Sequence, residues 1–270
     1  MKNLNKTTTT AVAAANDYAV LAKYLGRDPN ESKIPEPKSG GNFLGFYSGK
    51  ERGEDADQRK AELKAGPSDL GHPHVKHDGT FYSLKGTKFT VLADLPYWAT
   101  IDSSNQTSWY SLEPHAWDAK HDGQKVKACV LAIMLIVPGD DGTFPEALGP
   151  VYPICTNLLN YTKSDCVKDH VQALKRATDA GFIAARGIPV DTPPPFRQFS
   201  AWKSVPKTIT AGPAKGERYT HQQATPTNPT PAQVSAITEA MQDEDWRARF
   251  EKVTAEFERR SDELRQGASD

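Results

Sequence analysis

The longest apolar run in the chain is Cys129-Val-Leu-Ala-Ile-Met-Leu-Ile-Val137, nine residues, closed by Pro138-Gly139-Asp140-Asp141-Gly142. A membrane-crossing helix needs about twenty apolar residues, and no helix continues through a Pro-Gly turn. Lys125 to Val137 is therefore predicted as the strongest strand, with Gly149 to Thr156 returning beside it.

Shorter strand-like runs surround this pair. Phe81 to Leu84 and Lys88 to Ala93 flank a Lys85-Gly86 turn, and Tyr97 to Ile101 and Trp109 to Leu112 follow. Beyond the strong pair the period changes from two to 3.6, and Val167, Val171, Leu174 and Ala177 predict a helix over about 164–180. After Pro193-Pro194-Pro195, the run Phe196 to Val205 alternates as a last strand.

Apolar residues are 37% of the 270, enough for a core of roughly 150 residues with linkers or tails outside it. The expected organisation is an N-terminal helix and linker over 1–40, a β domain over 41–205 with a polar insert at about 51–79, a Pro-rich linker over 206–231 and a C-terminal helix over 232–270. Short strands with one helix predict a mainly β fold, a small, partly open, OB-like barrel.

Thr230-Pro231-Ala232-Gln233 is a strong helix start, with a capping Thr, Pro at the first position and Gln three on. Trp246, Phe250, Val253, Phe257 and Leu264 then form a narrow heptad stripe, interrupted by Arg260. That stripe is expected either to dock back on the β domain as a lid or to serve as a seam for self-association or a partner protein.

The formal net charge is −1, so a wholly polybasic nucleic-acid binder is excluded, while a local basic groove is not. Three cysteines form no CxxC pair and no even disulfide framework, as suits a reducing compartment, and a cytoplasmic location is expected. His72, His74 and His77 have the most metal-like spacing, but Gly71, Pro73, Asp78 and Gly79 mark a loop and no cysteine lies near. Cys155 with His170 would be a nucleophile and base only if folded together. Gly45 to Lys50 lacks the spacing of a phosphate loop. No catalytic residue, metal or cofactor is expected.

What remains is aromatics interleaved with cations: Tyr82, Lys85, Lys88, Trp98, Trp109, Tyr110, Arg197 and Lys203. Aromatic platforms beside a cationic groove hold single-stranded nucleic acid. Gly41-Asn42-Phe43-Leu44-Gly45-Phe46, the core around Val130 to Val137, and Pro195-Phe196-x-x-Phe199-x-x-Trp202 resemble phage and mobile-element proteins of the single-stranded-DNA-binding type. The resemblance implies an OB-fold, binding of single-stranded DNA or RNA, and action in the host cytoplasm. The polar insert and a C-terminus without an acidic tip depart from the bacterial pattern. The competing expectation is a structural or assembly protein, such as a virion component, working through the C-terminal helix.

Overall fold

The computed structural model describes residues 44–48, 56–64, 69–101, 107–116, 118–159, 161–177, 185–187, 192–210 and 215–267. The expected helix near the N-terminus, at about 11–25, lies outside them. The elements are β1 (Leu44–Phe46), α1 (Ala56–Leu63), β2 (Pro73–His77), β3 (Thr80–Ser83), β4 (Lys88–Ile101), β5 (Thr107–Ser111), β6 (Lys120–His121), β7 (Gln124–Val137), β8 (Tyr152–Leu159), α2 (Tyr161–Arg176), β9 (Phe199–Thr208), β10 (Arg218–Thr227), α3 (Pro231–Ala240) and α4 (Glu244–Gly267). The chain is mainly β, with antiparallel pairing throughout.

The apolar run sits in β7, which pairs with β4 from Lys88 opposite Val137 to Thr100 opposite Val126. The two short strands read from Lys88 to Ile101 are one 14-residue strand. Pro96 is accommodated because β9 pairs only with Lys88 and Phe89 and β5 pairs with β4 only from Trp98 onward, leaving that edge of β4 without a strand partner between them. The large sheet is ordered β10-β9-β4-β7, with β5 on the far part of β4 and with β8 and β6 on the outer edge of β7.

A β-bulge between Val91 and Ala93 sets the layering. Before it, Phe89 and Val91 share a face with Val130, Ala132, Met134 and Ile136. After it, Leu95, Tyr97 and Ala99 join Leu131, Ile133 and Leu135 on the opposite face. The extra residue reverses the alternation of β4, while β7, apolar at every position from Cys129, is buried on both sides.

Two apolar faces need two covering layers. Cys166, Val167 and Val171 of α2, with Leu44, Phe46 and Val75 of the small sheet β1-β2-β3, cover one face. Ile237 and Ala240 of α3 and Trp246, Phe250, Phe257 and Leu264 of α4 cover the other. The expected barrel has a single interior, so it cannot bury β7 in this way. Among the described residues the sheet stays open, with no closed barrel.

Of the two expectations for the C-terminal stripe, the chain shows docking on its own domain. Trp246, Phe250, Phe257 and Leu264 are buried and Val253 is partly buried against the chain's own sheet. Trp246 Nε1 donates to the Val151 carbonyl at 2.8 Å, and its ring stacks on Phe250. Arg260, the interruption in the stripe, turns to Glu256 at 2.6 Å.

Much of the segment read as a linker is ordered too. β9 runs on to Thr208, and β10 pairs with it from Arg218 opposite Thr208 to Thr227 opposite Phe199. The two prolines within these strands, Pro206 and Pro226, fall at the margin of the sheet and are both exposed. Thr230 forms the anticipated capping box with Gln233, and Gln233 Nε2 also donates to the Pro138 carbonyl at 2.8 Å. In the polar insert, Glu62 of α1 accepts the Phe81 N–H at 2.7 Å, tying that helix to β3.

Candidate nucleic-acid interface

The eight expected contact residues separate into two groups at opposite ends of β4. Ten residues divide Lys88 from Trp98, which is about 33 Å of strand. The eight residues therefore lie in two places rather than one.

At the far end, Trp98 stands opposite Ser111, Ala99 opposite Tyr110 and Thr100 opposite Trp109. Alternation puts Trp98 and Trp109 on the same face of the sheet and Tyr110 on the other, where it packs against the core beside Ala99. The Trp109 indole stacks on His121 with centroids 4.2 Å apart and planes at 11°, and the His115 ring meets it edge-on at 5.4 Å. Trp98 and Trp109 are both half-buried. His121 Nε2 lies 3.4 Å from the Asp122 carboxylate. His115 Nε2 is buried and has no hydrogen-bond partner among the described residues.

The two imidazoles were missed in the sequence. His121 is placed by Asp122-Gly123, whose φ values of 49° and 76° make the two-residue hairpin turn between β6 and β7. That dipeptide was the available signal.

At the near end, Lys88 is corrected as a groove cation: it is 4% exposed and paired with Asp140. Lys85 is exposed but lies 3.3 Å from Asp69. Tyr82 is half-buried, its ring 6.4 Å from His77. Arg197 donates from Nε to the Thr192 carbonyl at 2.6 Å. Lys203 is exposed on β9.

The expected histidine loop is strand β2 over Pro73–His77, and its imidazoles diverge. His72 bonds Asp69 at 3.0 Å, His74 packs edge-on to Phe81, and His77 sits against Tyr152 and Arg249. Burial and Lys85 hold His72 below the usual histidine range, and burial and Arg249 do the same for His77. Among the described residues no three His, Cys, Asp or Glu side chains are grouped to hold a metal.

His170 meets β4 and β9 rather than Cys155: its ring lies against Val91 and Ser200. Burial pushes the Cys155 thiol up to about 12 and the His170 imidazole down to about 3. A protonated thiol is a poor nucleophile, and a neutral, fully bonded imidazole has no free nitrogen for it. Asp94 shares the sheet face of Trp98, four residues along β4; burial raises its carboxyl to about 6, against the pull of Lys175.

No protein-family model matches this chain, no curated protein matches it, and no solved structure matches it.

Proposed function

We propose that the protein is a non-enzymatic binder of single-stranded nucleic acid, of the phage or mobile-element type, acting in the cytoplasm. The observation that supports this most is the half-buried Trp109 indole, pre-stacked on His121, with Trp98 beside it on the same face. A large aromatic ring held by a neighbour loses little freedom when a base stacks on its exposed part, and each stacked base is worth about 1–3 kcal/mol. The likeness to OB-fold binders is one of mode: bases laid on a strand face beside loops. No helix among the described residues is long and apolar enough to cross a membrane, and all three cysteines are free thiols, which suits a reducing compartment.

The test is fluorescence anisotropy with labelled oligo-dT at low salt. Trp109→Ala is expected to weaken binding by about 1–3 kcal/mol, roughly 5- to 150-fold, with the melting temperature nearly unchanged. Equal affinity for duplex and single strand would remove stacking as the mechanism. No binding at low salt would end the proposal.

A further inference from the structure

The aromatic end is electrically balanced: between 107 and 127 the chain carries Lys120, Lys125 and Lys127 against Glu113, Asp118 and Asp122. Stacking there gains little from phosphate attraction, so a strand bound by this protein needs its cations elsewhere. The β9–β10 hairpin has them. From Lys203 to Arg218 the chain carries Lys203, Lys207, Lys215 and Arg218 against Glu217 alone, a net +3. No other acidic residue occurs between Asp191 and Glu239.

All four cations are exposed, and none makes an ion pair among the described residues. Several cations elsewhere on the surface are paired: Lys85 with Asp69, Arg259 with Glu256 and Glu263, and Arg265 with Asp262. Asp165 of α2, a carboxylate that meets the hairpin, is taken by His221 Nε2 at 2.9 Å.

The two sides of this ribbon differ: on the side of Lys203 and Lys207, His221 is buried between Asp165 and Lys207, its Nδ1 3.4 Å from Lys207 Nζ, while both lysines remain exposed. Ser204 donates to the Gly71 carbonyl at 2.9 Å, and Thr220 Cγ2 and Gln222 Nε2 crowd the same glycine, so the even-numbered face is covered by the turn leading into β2. Lys203 and Lys207 project from the other face, opposite Gln223 and Tyr219, and stand about 13 Å apart along the strand.

We propose that the β9–β10 ribbon is a phosphate track, contacting the sugar-phosphate backbone of nucleic acid through Lys203, Lys207 and Lys215 and supplying the salt-dependent part of binding. This rests on the nucleic-acid reading above and adds a second contact surface, a strand-length away from Trp109. Each phosphate neutralised on a single strand contributes about −0.7 to the slope of log affinity against log salt concentration.

The experiment measures that slope for the full chain on long oligo-dT, with a duplex of the same length and vesicles of phosphatidylcholine with phosphatidylserine as further arms. The triple variant Lys203→Gln, Lys207→Gln, Lys215→Gln is expected to flatten the slope by about 2 while its melting curve matches wild type. Trp109→Ala is expected to lower affinity at every salt concentration with the slope unchanged. A triple variant that keeps the wild-type slope while Trp109→Ala still weakens binding overturns the phosphate track and leaves the stacking site standing. Loss of vesicle binding alone in the triple variant overturns it in favour of a lipid-facing surface. Failure of the wild type on both oligo-dT and duplex at low salt overturns the track together with the nucleic-acid reading.

Discussion

The Nε2 of His170 accepts the backbone N–H of Val91 at 3.3 Å, at the point where β4 bulges and β9 has parted from it. An acceptor at Nε2 places the ring proton on Nδ1, which donates to Ser200 Oγ at 2.8 Å. One imidazole on α2 thus satisfies a strand N–H that lost its ladder partner and locks the helix to β4 and β9 together.

Replacing it has a definite cost. His170→Leu leaves the Val91 N–H and the Ser200 hydroxyl buried without their partner, so unfolding in urea is expected to show a loss of about 2–4 kcal/mol. The pH dependence follows from the same burial. The folded-state pKa of about 3 lies below the unfolded 6.5, so the unfolded chain binds the extra proton first. Stability from this site is complete above about pH 6.5 and drains away as pH falls toward 3. A His170→Leu protein that keeps the wild-type acid slope would show that the imidazole is not its source.

Asp94 acts with the opposite sign. Its folded pKa of about 6 exceeds the unfolded 3.8, so here the folded chain holds the proton more tightly, and stability falls as pH rises from about 3.8 to 6. Asp94→Asn removes the buried charge and is expected to stabilise the protein at pH 7.5 by about 2–3 kcal/mol. The gain should shrink steadily below pH 6. Equal gains at pH 7.5 and pH 4 in chemical denaturation would contradict this.

Trp246 anchors α4, with its indole 4% exposed and its N–H on the Val151 carbonyl. Trp246→Ala is expected to cost about 3–5 kcal/mol. Deletion of residues 232–270 uncovers the face carrying Leu131, Ile133 and Leu135, and light scattering should then report aggregation rather than a clean change of oligomer. A truncated chain that keeps its mass and melting temperature would show the helix to be dispensable to the core.

Gly71 is held at φ +84°, and a Cβ there would stand 2.4 Å from Thr220 Cγ2 and 2.5 Å from Ser204 Oγ. Gly71→Ala is expected to lower stability by more than about 1 kcal/mol and to loosen the hairpin. Amide exchange checks this: protection in β9 and β10 should fall further than protection in β7.

Asp78-Gly79 shows where legibility ended and why. Its φ values of 47° and 83° build the two-residue turn joining His77 of β2 to Thr80 of β3, the conformation for which Asp-Gly is favoured. Read only as loop residues, the same pair hid a hairpin and the strand that carries His74 and His77. Trp109 and Lys88 both fitted a binding pattern in sequence. The fold leaves the first half-exposed on a stack and buries the second against Asp140. Residue type and spacing are identical for a platform and for a core position; burial separates them.

The strand over Lys125 to Val137, the cap at Thr230-Pro231 and the apolar stripe of α4 were determined by the sequence alone, because side-chain period and capping chemistry act over a few neighbouring residues. What covers that stripe, that β7 is buried on both faces, that the β9–β10 ribbon is a hairpin rather than a linker, and that the aromatics and cations fall at two ends of β4 were decided only in the tertiary structure. Each of these depends on which distant strand supplies the matching apolar face or open backbone edge. A single bulge at Leu92 was enough to reverse the faces of β4 and set that match.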